Sequence, residues 1–528
     1  MKNKLSTKSF QSFSLSTLHS PPPLALMPVF AYFLLLTLAL CTTATATATL
    51  TSPPRVAVIG CGIGGSSFSF YLNDALHNIS SPLANITTYE RSPFIGGRLQ
   101  HIIFGKQQAK IEVGGAAWTS SNQMMTELAR RMNITATKKE EKEKENEEPL
   151  LNSKVGIWNG TGFTKIIDEL LSHPPSVLNI LKAESHFLQQ TSNNYAQVAA
   201  TSPFRTISDF LSFGALRQYT NTSILSYFEK KNVNKNIIEN ALIPINRAIY
   251  NQNDNSSAFA MFGALTALEN QENVPSGNSD LVHKLLDAAG ANVILNTTIV
   301  RVEQQQALSN GGSGGYIVTD ASGKEETYDV VVIAAPLEVT NITFVLTDEF
   351  DDDDDDDDDN NNGSGGIINR EYMPWYVTVI EADGVQKKNF GPSVANENVT
   401  LPHILLTTAN GTTERTPWVC IQPVGKHGKN GTDDKDVYMV YSDKKLTKLN
   451  ELFMNPRVNE MYEQYWEYTF PTLIPIIKIN EKKNFQKIIL APGLLNLNSL
   501  ESLATAMEIS SISAHNGARL ILDYLMSL

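Results

Sequence analysis

Cysteine is almost missing from this chain: three in 528 residues, Cys41, Cys61 and Cys420. So few thiols cannot build a disulfide framework, and no Cys/His spacing of a metal site occurs. A basic excess is missing too. Lys and Arg number 42 against 55 Asp and Glu, so there is no electrostatic footprint for nucleic acid. Even the net charge of −13 is mostly local, because Asp351 to Asp359 is an unbroken run of nine acids and the rest of the chain is only mildly acidic. What is present is 42% hydrophobic residues over a length that holds a large core and more than one domain.

The N-terminus has the composition of a targeting segment. Lys2, Lys4 and Lys8 precede a mostly apolar run from Leu24 to Cys41, interrupted by Pro28, and then the small residues Ala44 to Ala48. Residues 1–48 therefore read as a cleaved signal peptide. The rival is a signal anchor, since about 18 residues is the lower edge of a membrane span; no basic stop-transfer cluster follows. Sequons begin at Asn78, Asn85, Asn133, Asn159, Asn221, Asn255, Asn296, Asn341, Asn362, Asn398, Asn410 and Asn430. Leader and sequons together place the chain in a secretory-pathway lumen (lysosome, vacuole or endoplasmic reticulum) carrying N-glycans.

The strongest local signal follows the leader. Arg55-Val56-Ala57-Val58-Ile59 is a short β-branched run, and Gly60-Cys61-Gly62-Ile63-Gly64-Gly65 comes directly after it. Gly60 can make the tight turn, Gly62 admits a pyrophosphate to the backbone, and Gly65 lets the next helix pack on the strand. The pyrophosphate would rest on the helix N-terminus. A second strand, Ile86 to Tyr89, ends in Glu90, a carboxylate placed for ribose hydroxyls. Ile95-Gly96-Gly97-Arg98 and Glu112-Val113-Gly114-Gly115 add two glycine turns and a guanidinium fork suited to phosphate. Cys61, inside the glycine loop, reads as a packing residue.

Nucleotide-domain pieces are expected at 52–135, 274–345 and 486–528, and substrate-domain pieces at 150–272, mainly helical, and 367–485, rich in strands. Tyr328 to Pro336 reads as a buried parallel strand, and Leu503 to Leu525 as a helix. Two solvated insertions, 138–148 and 351–366, have no apolar residues to bury. Such interleaving suits a flavoprotein oxidase better than a nicotinamide dehydrogenase.

At these residues the chain resembles the FAD-dependent amine-oxidase type of flavoprotein. The resemblance implies an α/β fold: a Rossmann-type FAD-binding domain of the amine-oxidase/GDI-like class, interleaved with an α+β substrate domain. It implies that Glu90 binds the adenosine ribose, and that Arg91, Gly97, Arg98, Gly114 and Gly115 line the pyrophosphate and flavin. Ile299 matches the position whose backbone meets adenine. Glu501, Met507, Glu508 and Ile509 match the C-terminal flavin motif, where a helix N-terminus points at the cofactor.

A narrower resemblance covers the whole mature chain, to the prenylcysteine oxidase or farnesylcysteine lyase family. It is carried by Val56 to Ser67, Glu90 to Leu99, Val155 to Gly160, Ser276 to Leu281, Asn341 to Phe344 and Ser502 to Asn516. The chain departs from it at Ser276-Gly277-Asn278-Ser279-Asp280, where the family has Gly-Gly-Asn-Lys. The resemblance implies oxidation of S-prenyl-L-cysteine, farnesyl or geranylgeranyl, by FAD and O2 to prenyl aldehyde, cysteine and H2O2, with room for a peripheral membrane contact. No catalytic side chain is assigned. His515, seven residues after Glu508, is an acid–base candidate whose ordinary reading is a packed histidine. Trp158 is either a prenyl contact or core. Two alternatives stay open: a secreted FAD-dependent amine oxidase, and a non-enzymatic prenyl-binding protein with the fold of the Rab GDP-dissociation inhibitors.

Overall fold

The computed structural model describes residues 50–528 apart from 106–107, 139–154, 269–270, 307–313, 348–369, 392–393, 396–399, 415, 427–435 and 477–484. The leader, the acidic insertion and all but the first residue of the Lys/Glu insertion lie outside the described residues.

Strand β1 (Arg55–Ile59) is apolar from Val56 onward because both of its faces are covered. Val56 and Val58 enter a core with Phe68, Leu72 and Leu76 of helix α1 (Ile63–Asn78) and with Ile512, Ala518 and Ile521 of the C-terminal helix Met507–Ser527. Ala57 and Ile59 enter a second core with Val302, Tyr316, Val318 and Tyr328. The central sheet has six strands in the order Asn292–Ile294, β2 (Asn85–Tyr89), β1, Val330–Ile333, Leu494–Asn496, Ile489–Ala491. All pairs are parallel except the last, which is antiparallel. Its strands come from three separate stretches of chain. Val330–Ile333 is buried throughout, as its unbroken β-branched run requires.

A four-stranded sheet built on Ile299–Gln304 covers one face of the central sheet. A seven-stranded sheet is centred on the long strand Tyr372–Ala382, which pairs antiparallel with both Tyr462–Pro471 and Asp436–Ser442. Helices from Pro174–Ala200 to Ala258–Thr266 form the remaining layer. Val155–Trp158 and Phe163–Lys165, inside the stretch read as mainly helical, are strands of the seven-stranded sheet. The first pairs in parallel with Ile404–Thr407, a partner local periodicity cannot announce. The C-terminal helix starts at Met507 rather than near Leu503, because Leu497–Ser502 is a 3₁₀ turn and Ala506 is extended.

Candidate active site

The C-terminal ends of the parallel strands β1, β2 and Val330–Ile333 open on one cavity of about 1900 Å³. A crevice at the carboxyl edge of an open parallel sheet is where such folds take ligands. The volume exceeds the ~300–1,000 Å³ of a drug-sized pocket.

One end is built of backbone. Gly60 leaves β1 with φ +113°, and a Cβ there would stand 2.7 Å from the Ala334 carbonyl oxygen, so only glycine fits. Its N–H donates to the Tyr89 carbonyl at 2.8 Å, which ties the loop to β2. Gly62 starts α1 with no side-chain cap and no acid in the first turn, so the positive helix end faces the cavity. Gly96 bridges to Gly62, and Gly97 follows at φ +58°. Glu90 is buried. Its Oε2 accepts the Cys61 N–H at 3.0 Å and its Oε1 accepts the Ser92 N–H at 2.9 Å. Each oxygen keeps a lone pair for a hydroxyl donor. Burial, then the Glu90 charge, push the Cys61 thiol up to about 12, so it is an inert packing group. Thr297, Thr298 and Ile299 complete this end. At the centre, Ala506 leaves the N-terminus of the C-terminal helix without a side-chain cap, and Met507, Glu508 and Ile509 border the cavity. The uncapped helix ends, the backbone walls and the available carboxylate fit a dinucleotide.

Of the residues singled out from sequence, Gly60, Gly62, Glu90, Arg91, Gly97, Arg98, Gly114, Gly115, Ile299, Met507, Glu508 and Ile509 all line this cavity. Two of the cofactor-binding candidates are not in its wall. Gly65 packs α1 on the sheet, where a Cβ would lie 2.1 Å from the Gly60 carbonyl oxygen. Glu501 stands behind Arg98 as its counter-charge, and Arg98 also donates to the Thr469 carbonyl at 2.7 Å. The Glu508 carboxylate is bonded within the protein: it accepts the N–H groups of Met124 and Met125, both at 2.9 Å, and the Tyr195 hydroxyl at 2.5 Å. It therefore caps helix Gln123–Arg131 from a distance, and burial holds its pKa above the usual range.

His515 is not in the cavity wall. Its ring packs edge-on to Tyr71 at 5.0 Å, and burial lowers its pKa to about 4. Trp158 packs on Phe163 and Phe390 in a separate core. Asn278 does more than its position in a loop suggests. It receives the Val274 N–H, donates its own N–H to Glu112, and donates Nδ2 to the Gly115 carbonyl. Beside it, Gly277 has a φ of +113°, and a Cβ there would lie 2.3 Å from the His101 ring.

The other end of the cavity is built of side chains that sequence reading did not single out. Phe187, Ile245, Tyr250 and Phe259 come from the helical layer, and Trp375, Leu406, Tyr441 and Phe470 from the seven-stranded sheet. Trp375 packs on Tyr441 at 5.3 Å and edge-on to Phe470 at 6.0 Å, which in turn meets Tyr250 at 5.7 Å. On a helix or strand these residues show the same periodicity as core, so no local signal marks them. Among the described residues, the carboxylates lining the cavity are Glu90, Glu467 and Glu508. None stands free in the apolar arm, so the arm suits a hydrocarbon better than an ammonium.

Residues 182–527 match the family model described as prenylcysteine lyase. Similar curated proteins are prenylcysteine oxidase 1 of Bos taurus, 24% identical over 505 residues (89% of this chain, 88% of that protein), and farnesylcysteine lyase of Arabidopsis thaliana, 23% identical over 506 residues (90% and 89%). Similar solved structures are a cyclohexylamine oxidase from Brevibacterium oxydans IH-35A, with a TM-score of 0.52 at 14% identity, and a redesigned putrescine oxidase, 0.53 at 12%. Each covers 89% of this chain and 99% of its own. These likenesses bear on the fold, which is that of the amine-oxidase class.

Proposed function

The chain belongs to the prenylcysteine lyase family, and from that premise we propose that it is a prenylcysteine oxidase, splitting the thioether of S-prenyl-L-cysteine with FAD and oxygen. One observation carries the reading: a single cavity joins a glycine-built dinucleotide cradle to a long apolar arm. The substrate, O2 and water become cysteine, the prenyl aldehyde and hydrogen peroxide. Bound FAD supplies the two-electron oxidation at the carbon that is both allylic and next to sulfur. The rest falls to the protein. Gly60 to Gly64 and Glu90 hold the dinucleotide, and Arg98, anchored by Glu501, adds a cation beside them. The arm takes the prenyl chain, whose burial is worth about 25 cal/mol per Å², and keeps bulk water from that side of the reacting carbon. Oxygen uptake with S-farnesyl-L-cysteine should release cysteine, farnesal and peroxide in equal amounts. Ammonia with the thioether intact would reject the reading in favour of an amine oxidase. A purified chain that binds prenylcysteine but shows no flavin absorbance would favour a non-enzymatic prenyl carrier.

The same reading has the leader removed after about Ala48 and the mature chain N-glycosylated in a secretory lumen. Support comes from the leader's composition and from the sequons. Every sequon asparagine among the described residues, Asn78, Asn85, Asn133, Asn159, Asn221, Asn255, Asn296, Asn341 and Asn410, is exposed. Glycosidase treatment should increase gel mobility, and alkaline carbonate should release the chain from membranes; retention would point to the anchor. A prenyl substrate also gives reason for a peripheral membrane contact. Leu171, Leu178, Leu181 and Leu268 are exposed, and Leu268 borders the cavity.

A further inference from the structure

Beside the large cavity lies a smaller polar one of about 400 Å³, whose walls include Glu338, Arg370 and Tyr372. The two share Val339, Tyr465, Glu467 and Tyr468. The Arg370 side chain is 9% exposed and that of Glu338 only 1%, and they pair through one nitrogen, Nε, and one oxygen, Oε1. That single-point pairing leaves Arg370 Nη1 and Nη2 and Glu338 Oε2 buried without hydrogen-bond partners. The Tyr372 hydroxyl and Glu501 Oε2 are in the same condition. Tyr372 lies within electrostatic reach of Glu501, Arg370, Glu338 and Arg98, so these groups form one cluster at the border of the large cavity.

Buried polar groups are ordinarily bonded, and a bare guanidinium edge is shaped for a carboxylate. The balance of charge narrows the ligand. Arg98 and Arg370 are offset by Glu501 and Glu338, and Glu467 adds a further acid to the wall, so a dianionic phosphate would meet no net attraction. An uncharged or apolar group would leave both signs unanswered. A zwitterion, with one anionic and one cationic end, complements both. We propose that this alcove is the subsite for the α-amino-acid head of the thioether substrate, with Arg370 receiving the α-carboxylate and Glu338 facing the ammonium. For the identity of that ligand the proposal rests on the prenylcysteine oxidase reading.

The test measures anaerobic binding to the flavin-loaded full chain by calorimetry, with flavin content read in parallel. The ligands are S-farnesyl-L-cysteine, S-farnesylcysteamine, which lacks the carboxylate, and S-farnesyl-3-mercaptopropionate, which lacks the ammonium. Removing either charge should weaken binding by on the order of ten- to a hundredfold. Arg370→Gln should weaken S-farnesyl-L-cysteine to the level of the cysteamine, leave the cysteamine unchanged, and retain flavin. Equal binding of all three ligands by the unaltered chain overturns the proposal and needs no variant to fold. Loss of flavin from a folded Arg370→Gln chain also overturns it, assigning the alcove to a cofactor phosphate. The expected binding pattern without oxygen uptake would leave the subsite standing and defeat only the turnover. Failure of every farnesyl ligand to bind would defeat the substrate reading and the subsite with it.

Discussion

At the glycine end of the large cavity the wall is main chain: Gly60, Gly62, Gly97 and Gly115, with two helix N-termini behind them. At the far end the wall is side chain: Phe187, Tyr250, Phe259, Trp375, Tyr441 and Phe470, delivered by helices and a sheet remote from each other in sequence. The first end recognises a ligand by hydrogen bonds and close approach, and at Gly60 there is no room even for an added methyl group. The second recognises by area, so one substitution removes a part of the contact and the rest persists. Damage at the two ends should therefore look different.

The largest effect is expected at the backbone end. Gly60→Val places a branched Cβ against the Ala334 carbonyl oxygen, at a φ of +113° that β-branched residues avoid. The purified variant should lack flavin absorbance; normal flavin content would break the contrast between the ends. Next is Glu508→Ala, which strands the Met124 and Met125 N–H groups and the Tyr195 hydroxyl. A loss of about 2–4 kcal/mol in denaturant unfolding is expected from several buried groups left unbonded. An unchanged midpoint would mean that Glu508 serves the ligand instead.

A smaller effect belongs to the apolar arm. Phe470→Ala removes a ring that touches both Trp375 and Tyr250. It should lower kcat/KM for S-farnesyl-L-cysteine by about tenfold, in line with the lost apolar contact, with flavin content intact. Loss of flavin would show that the two ends are not independent. The smallest effect concerns pH. Burial raises the Glu112 pKa from 4.5 to about 7, although its carboxylate accepts the Asn278 N–H. Between those two values the folded chain holds a proton that the unfolded chain has released, so this residue makes stability fall as pH rises through that window. Glu112→Gln should flatten that slope, its Tm gaining on the unaltered chain from pH ~5 to ~7.5. An identical difference at both ends of the range would sink the assignment.

How much could be read without coordinates follows from the same contrast. Strand, glycines, helix and acid stand close together in the chain, so Arg55 to Glu90 announced their own geometry. Gly114 and Gly115 were legible for the same reason. Glu508 was legible as part of a motif but not in its role, because its partners, Met124, Met125 and Tyr195, lie hundreds of positions away. The same holds for Glu501 behind Arg98, whereas Arg370 and Glu338 belong to no motif and their pairing was not legible at all.

The sequence by itself determined the parallel sheet, its nucleotide cradle and the interleaving of chain segments through it. The cradle depends on neighbours within a few tens of residues and on backbone angles that only certain residues adopt, and each buried parallel strand shows in its own apolar run, although its partners lie in distant segments. Tertiary structure alone decided which aromatics line a cavity and which are core, which carboxylates face a ligand and which cap a helix, and where an arginine is left with unbonded nitrogens. Each of these turns on what a side chain meets across the fold, and contacts between distant segments leave no period in the chain.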